Sequence, residues 1–250
     1  MRALLALCLL LAAGAQAGEI RLAQTLTAHL EDGRLTLTVQ VENQGSEPAL
    51  DVQPIVHFLG RAHPLPALER LQARAFYRQR WEAPVPGPGD YGLLVDLRYH
   101  GPRAGYSLPA YIQVPAESRP GTLEMGLGRG ERGPFLLLKN HGETPVPATL
   151  TVLAPWELGL TPPPKEVTVP AGGERLLELH FASLDVGHQS TALIHALADY
   201  DQDGRHRIAH AALDLHAGRP LTAVPWSLVA GAFGLLLALL LARALRRQNA

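Results

Sequence analysis

The chain has 250 residues but one cysteine, two methionines and two lysines, and aromatic residues make up only 6% of it. The single cysteine, Cys8, lies inside an N-terminal run of Leu and Ala. If that run is removed, no disulfide and no thiol chemistry remain. With lysine at 139 and 165 alone, 20 of the 22 basic residues are arginine, which reads as the coding bias of a GC-rich genome and not as a functional device. Long amphipathic helical patterns are missing too. The 21 prolines and 24 glycines fall between short apolar stretches, a pattern of many strands joined by turns. The common catalytic signatures are absent: no His-Glu-x-x-His, no phosphate-binding glycine loop, and no Gly-x-Ser-x-Gly, since Gly105-Tyr106-Ser107-Leu108-Pro109 lacks the last glycine. The expectation is a chain with no catalytic residues and no cofactor.

The termini carry two strong signals. Arg2 is followed by the uncharged run 3–17, which closes on Ala15-Gln16-Ala17. A basic start, a short apolar stretch and a small-x-small end make a secretory signal, residues 1–17, with Gly18 as the first mature residue. Near the other end, residues 220–242 hold no charge. Twenty-three residues at ~1.5 Å rise reach ~34 Å, enough for a hydrocarbon core of ~30 Å. Trp226 stands near the outer end, and Arg243, Arg246 and Arg247 follow the inner one. By the positive-inside rule the tail 243–250 is cytoplasmic. Small residues recur at Ala230, Gly234, Ala238 and Ala242, one face of a helix, where close backbone approach would allow self-association or docking on another membrane protein. Without Arg2 and the three tail arginines, 18 basic residues face 23 acidic ones in the segment between, which argues against nucleic acid as a partner.

Periodicity between the termini is that of strands. Arg34–Asn43 alternates Leu35, Leu37, Val39 and Val41 with Thr36, Thr38 and Gln40, a strand with one buried face. Further strands are expected at Ile20–Thr27, Asp51–Phe58, Leu71–Trp81, Tyr91–Arg98 and Tyr106–Val114. The second half repeats the first: 41–52 aligns without gaps on 138–149, pairing Asn43 with Asn140, Gly45 with Gly142 and Pro48 with Pro145. Later, Leu93–Tyr99 and Tyr106–Val114 resemble Leu193–Tyr200 and Arg205–Leu215. A period of about 100 residues is a whole domain and not a solenoid repeat. The expected fold is all-β: two tandem β-sandwiches, 18–115 and 122–217, joined by the linker 116–121 and followed by one transmembrane helix. Asn-x-Gly ends a strand because the Asn side chain closes a turn and Gly accepts positive φ.

Strand, Asn-x-Gly, Glu or Pro and a second strand, closing on Gly-Asp-Tyr-x-Leu-x-Val and a Tyr-containing hairpin, resembles bacterial CARDB-type Ig-like domains. The resemblance implies seven-stranded sandwiches arranged in tandem on surface proteins, often as spacers or binding modules. Together with the two terminal signals, it gives the expectation of a bacterial envelope protein, single-pass in the inner membrane, with its bulk periplasmic.

Two clusters offer binding chemistry. Asp199, Asp201 and Asp203, ahead of Gly204, match the first half of a calcium loop, but position 12 is His210 where a bidentate carboxylate is needed, and the flanks read as strands. The other reading is a hairpin tip. If the tip lies near 202–204, His195, His206 and His210 share one face with Asp214 and His216, while Ile194, Ala196 and Ala198 share the other with Ala209, Ala211, Leu213 and Leu215. Cross-strand spacing would let His195 and His210 hold Zn²⁺ or Cu²⁺; the other reading is a solvated face. Trp81 and Trp156 suit either a sugar platform or a core. Two functions are thus expected: an accessory protein acting through contact with an envelope or membrane protein, or a module binding carbohydrate or a metal ion.

Overall fold

In the computed structural model, residues 19–102, 104–115, 121–131, 133–182 and 191–216 are described. The signal segment 1–17, the stretch 220–242 with Ala230, Gly234, Ala238 and Ala242, and the tail 243–250 lie outside them. The first half runs β1 (Leu22–Glu31), β2 (Arg34–Asn43), β3 (Ala49–Phe58), β4 (Arg61–Pro64), β5 (Leu68–Leu71), β6 (Phe76–Pro84), β7 (Tyr91–His100) and β8 (Gly105–Val114). The second runs β9 (Leu123–Gly130), β10 (Gly133–Asn140), β11 (Val146–Leu153), a 3-10 turn (Trp156–Leu158), β12 (Leu160–Thr161), β13 (Glu166–Val169), β14 (Glu174–Glu178), β15 (His180–Phe181), β16 (Thr191–Gln202) and β17 (Arg205–His216). The described chain is all-β, as its turn-rich composition implies.

Each half is built on two facing sheets, and the second also carries the small sheet β12-β15 and a second apolar cluster around Leu158, Ala192, Ile194 and Leu215. In the first, β1-β2-β6 faces β4-β3-β7-β8, with β5 also on β3. Leu35, Leu37, Val39 and Val41 of β2 are fully buried against Val52, Val56, Leu93, Val95 and Leu97 of the other sheet. Each such side chain contributes roughly 1.5–3 kcal/mol. In the second, β14-β10-β9 faces β13-β11-β16-β17 across Leu136, Leu138, Leu150, Ala196 and Ala198. The strand expected over Leu71–Trp81 is instead two. Arg74 takes a left-handed conformation (φ 64) and donates its N–H to the Asn43 carbonyl at 2.7 Å, and there the chain crosses from one sheet to the other. β4 was not foreseen.

The repeated turn has the same wiring in both halves. Asn43 Oδ1 accepts the Gly45 N–H at 3.0 Å, and its Nδ2 donates to the Glu47 and Leu71 carbonyls. Asn140 accepts the Gly142 N–H at 2.9 Å and donates to the carbonyls of Thr144, Val169 and Pro170. Both side chains are buried, so each staples a strand end to a distant loop. Asn140→Ala leaves several buried backbone groups unpaired and is expected to cost about 2–4 kcal/mol in urea unfolding, with Asn140→Asp recovering only the bond accepted from Gly142. Wild-type stability in the alanine variant would deny the staple that role.

Candidate functional site

Ladders do not join the two halves; one isolated parallel bridge, Gly89 with His206, does. The β16–β17 register pairs His195 with Ala212, Leu197 with His210, Asp199 with Ile208 and Asp201 with His206. Opposed residues share a face, so His195, His206 and His210 lie together as the hairpin reading requires. That face is not solvated. It packs on the outer face of β7 and β8 of the first half, and His195, Asp199 and His206 are buried. Leu197 and Ile208 stand among the polar residues, and Leu197 closes with Leu94 and Leu153 into an apolar cluster between the halves.

The contact is close because glycine lies under it. A Cβ on Gly92 would come within 2.7 Å of Leu197, one on Gly105 within 1.8 Å of the Trp156 ring, and one on Gly89 within 2.2 Å of the His206 carbonyl. At the Gly89 end, Asp90 N–H donates to the His206 carbonyl and His206 N–H to the Pro88 carbonyl, both at 3.0 Å. The His206 ring stacks on Tyr91 at 4.7 Å, and Arg207 pairs with Asp90 at 2.7 Å. Midway, His210 stacks on Tyr111 at 3.6 Å and His195 Nδ1 meets His210 Nε2 at 3.1 Å. At the far end the Trp156 N–H donates to Ser107 Oγ at 2.9 Å, and the indole lies beside His100 and Arg98.

The electrostatics fall into two zones. Burial, then the charge of His195, pushes His210 down to about 4. Burial also lowers His195 and His57. These imidazoles are held neutral, which the His195–His210 contact requires: one nitrogen must donate and the other accept. His206 is the opposite case. Burial alone would lower it, but the hydrogen bonds and charges of Asp199 (3.1 Å) and Asp201 (3.2 Å) outweigh burial and hold it above its ordinary value. Burial pushes the Asp199 carboxyl up, with His206 holding it back. Three side-chain atoms on these facing surfaces, His57 Nε2, Asp96 Oδ1 and Asp199 Oδ2, are buried without a hydrogen-bond partner within the protein. Unpaired buried groups cost about 1–3 kcal/mol each, so this contact is tight in shape yet weaker than a core.

The candidate metal ligands separate accordingly. His206 and His210 are four residues apart on one strand, ~13 Å at ~3.3 Å per residue, and His206 is occupied by two carboxylates. Among the described residues no three His, Cys, Asp or Glu side chains converge to hold a metal ion. Asp199 is buried on His206, Asp201 is exposed, and Asp203 forms the hairpin tip with Gly204, both at positive φ (52 and 70). Both flanks are strands. Trp81 is half-buried against Phe58 at 5.4 Å, whereas Trp156 clamps the junction while staying 40% exposed. Elsewhere, a concavity of about 300 Å³ on the outer face of β1, β2 and β6 is lined by His29, Arg34, Thr36, Arg80 and Glu82, with Arg80 and Arg34 both turned to Glu82. Sequence reasoning missed Gly92, Gly105, Leu94, Tyr111 and Leu197 as junction residues; the available signal was two large apolar side chains, Leu197 and Ile208, on a face otherwise read as polar.

Among the described residues no helix is long and apolar enough to cross a membrane. No family model matches the chain, and no curated protein does. Similar solved structures include a complex of the Salmonella enterica SafA pilin with the SafB chaperone (18% identity over 80% of this chain and 99% of that one, TM-score 0.31). Another is the Pseudomonas aeruginosa CupB2 chaperone (13%, 73% and 93%, TM-score 0.27). A third is red sea bream transglutaminase (11% identity, 79% of this chain, TM-score 0.27), of which the chain spans only 31%.

Proposed function

We propose that this chain is a non-enzymatic accessory protein of the bacterial envelope, built from two Ig-like sandwiches of CARDB kind and held at the inner membrane by residues 220–242, which works by contact with another envelope or membrane protein. The observation that carries the reading is where the chemistry-bearing side chains went. His195, His206, His210, Asp199, Tyr111 and Trp156 are spent on fastening one sandwich to the other. A junction so equipped makes a single broad body for display. The sorting signal and the uncharged stretch supply the placement.

Two measurements test this. A reporter active only outside the cytoplasm is expected to work when fused after Gly218, and one active only inside it when fused after Ala250; the reverse pattern at the C-terminus removes the anchor. For the contact itself, the detergent-solubilised chain is expected to co-purify with a stoichiometric envelope or membrane protein, and to lose it when the junction is opened by Leu197→Asp. Retention of that protein by the variant would place recognition in one sandwich alone and leave the two-sandwich body without a part in it.

A further inference from the structure

We infer that one end of the two-sandwich body, carrying Trp156 and Leu193, rests in the lipid headgroups of the membrane that holds the chain; the inference rests on the anchor proposed above. The contacts order the junction from Gly89–His206, through Gly92–Leu197 and Tyr111–His210, to Gly105–Trp156. β7 and β17 both run from the first extreme toward the last, ending at His100 and His216. His216 pairs with Thr191, and Leu153, just ahead of the Trp156 turn, pairs with His195, so the chain leaves the second sandwich at the Trp156 end. It enters the first sandwich there as well: a Cβ on Gly101, in the β7–β8 turn, would lie 3.3 Å from Ile20.

The tether is short. Three residues separate His216 from the uncharged stretch that begins at Pro220. Four Cα steps span at most ~14 Å, and one headgroup layer is ~5–8 Å thick. With Pro220 at the lipid boundary, this end has no room to stand clear of the lipid by more than about one such layer. Its surface suits the placement. Of the large apolar side chains that are conspicuously exposed, Trp156 (40%) and Leu193 (41%) are at this end. An indole with one edge packed on protein and the other free favours the water–lipid boundary.

The test uses the full chain in phosphatidylcholine–phosphatidylglycerol vesicles, with single-tryptophan variants and lipids brominated near the glycerol. With Trp81→Phe and Trp226→Phe in place, Trp156 is expected to lose most of its emission to the brominated lipid and to become shielded from aqueous acrylamide relative to detergent. Trp81 alone is expected to respond to neither. Quenching of Trp226 but not Trp156 overturns the inference and spares the anchor; quenching of neither removes both. Shielding of Trp156 from acrylamide without quenching by lipid means that a second copy covers this end, and also overturns it. Should Trp81→Phe weaken the first core, Leu193→Cys in a Cys8→Ser chain, labelled with a polarity-sensitive dye, reads the same surface: a blue shift on reconstitution supports the placement and an unchanged spectrum denies it.

Discussion

Leu197→Asp is expected to split one thermal transition into two. Leu197 is 1% exposed, yet its side chain lies outside both cores, against Leu94, Leu153 and the bare backbone of Gly92. Truncating a buried leucine costs roughly 2–5 kcal/mol, and a carboxylate in its place adds the cost of desolvating a charge. The expected loss of coupling, above about 4 kcal/mol, exceeds what a contact that buries unpaired polar atoms can spare. Calorimetry of the solubilised chain shows the result directly. In the wild type Asn140→Ala lowers the whole transition, because the halves melt together; on the Leu197→Asp background it lowers only one of two. A single transition that merely shifts would mean the halves are coupled elsewhere.

The second large effect is on pH. His210 titrates at about 4 in the folded chain against 6.5 when exposed, so between those values the separated or unfolded chain binds more protons and stability falls as pH falls. At 1.36 kcal/mol per unit, reduced for the exposure His210 retains, the loss is about 2 kcal/mol, complete near pH 4. His195 and His57 are lowered too and add in the same direction. His206 acts oppositely. Its folded value is raised, so its contribution is full below 6.5 and is lost as pH rises through the folded value. Asp199, whose folded value burial raises, acts in the same sense as His206, so the acid limb is the loss at the lowered histidines less the gain at that carboxyl. His210→Phe keeps a ring on Tyr111 without a titrating nitrogen and is expected to flatten the acid limb in urea unfolding at pH 4–7, whereas His206→Gln flattens the alkaline limb. An acid limb of the same depth in His210→Phe would acquit the imidazole.

Much of the architecture was legible because it is local. Alternation in Arg34–Asn43 marked a strand with the bounds observed, and Asp203-Gly204 set a hairpin register that sorted β16 and β17 into the right faces. Asn43 and Asn140 announced the repeat because their side chains do in two places what backbone alone cannot. The partner of the histidine face was not legible. Alternation reports that a strand has two unlike faces, and polarity was taken to mean water. Here imidazoles, a carboxylate and tyrosines satisfy one another against a second sheet far away in the chain. Leu197 and the glycines at 89, 92 and 105 are meaningful only together, and Leu197 lies about 90–110 residues from those glycines in sequence.

The junction also bears on how the chain could have grown. Matched by buried face, Leu93 corresponds to Ile194 and Tyr99 to Tyr200, so β7–β8 and β16–β17 are the same element in the two copies. The surfaces that meet thus lie at like places in the two halves. Contact between like patches is saturated by two, whereas head-to-tail contact leaves a free patch at each end for the next copy. Matched in this way, Gly92 stands in the first half where the second has Leu193. Adding a third copy to the gene would lengthen the chain without extending this stack, because both of the patches that make it are already used.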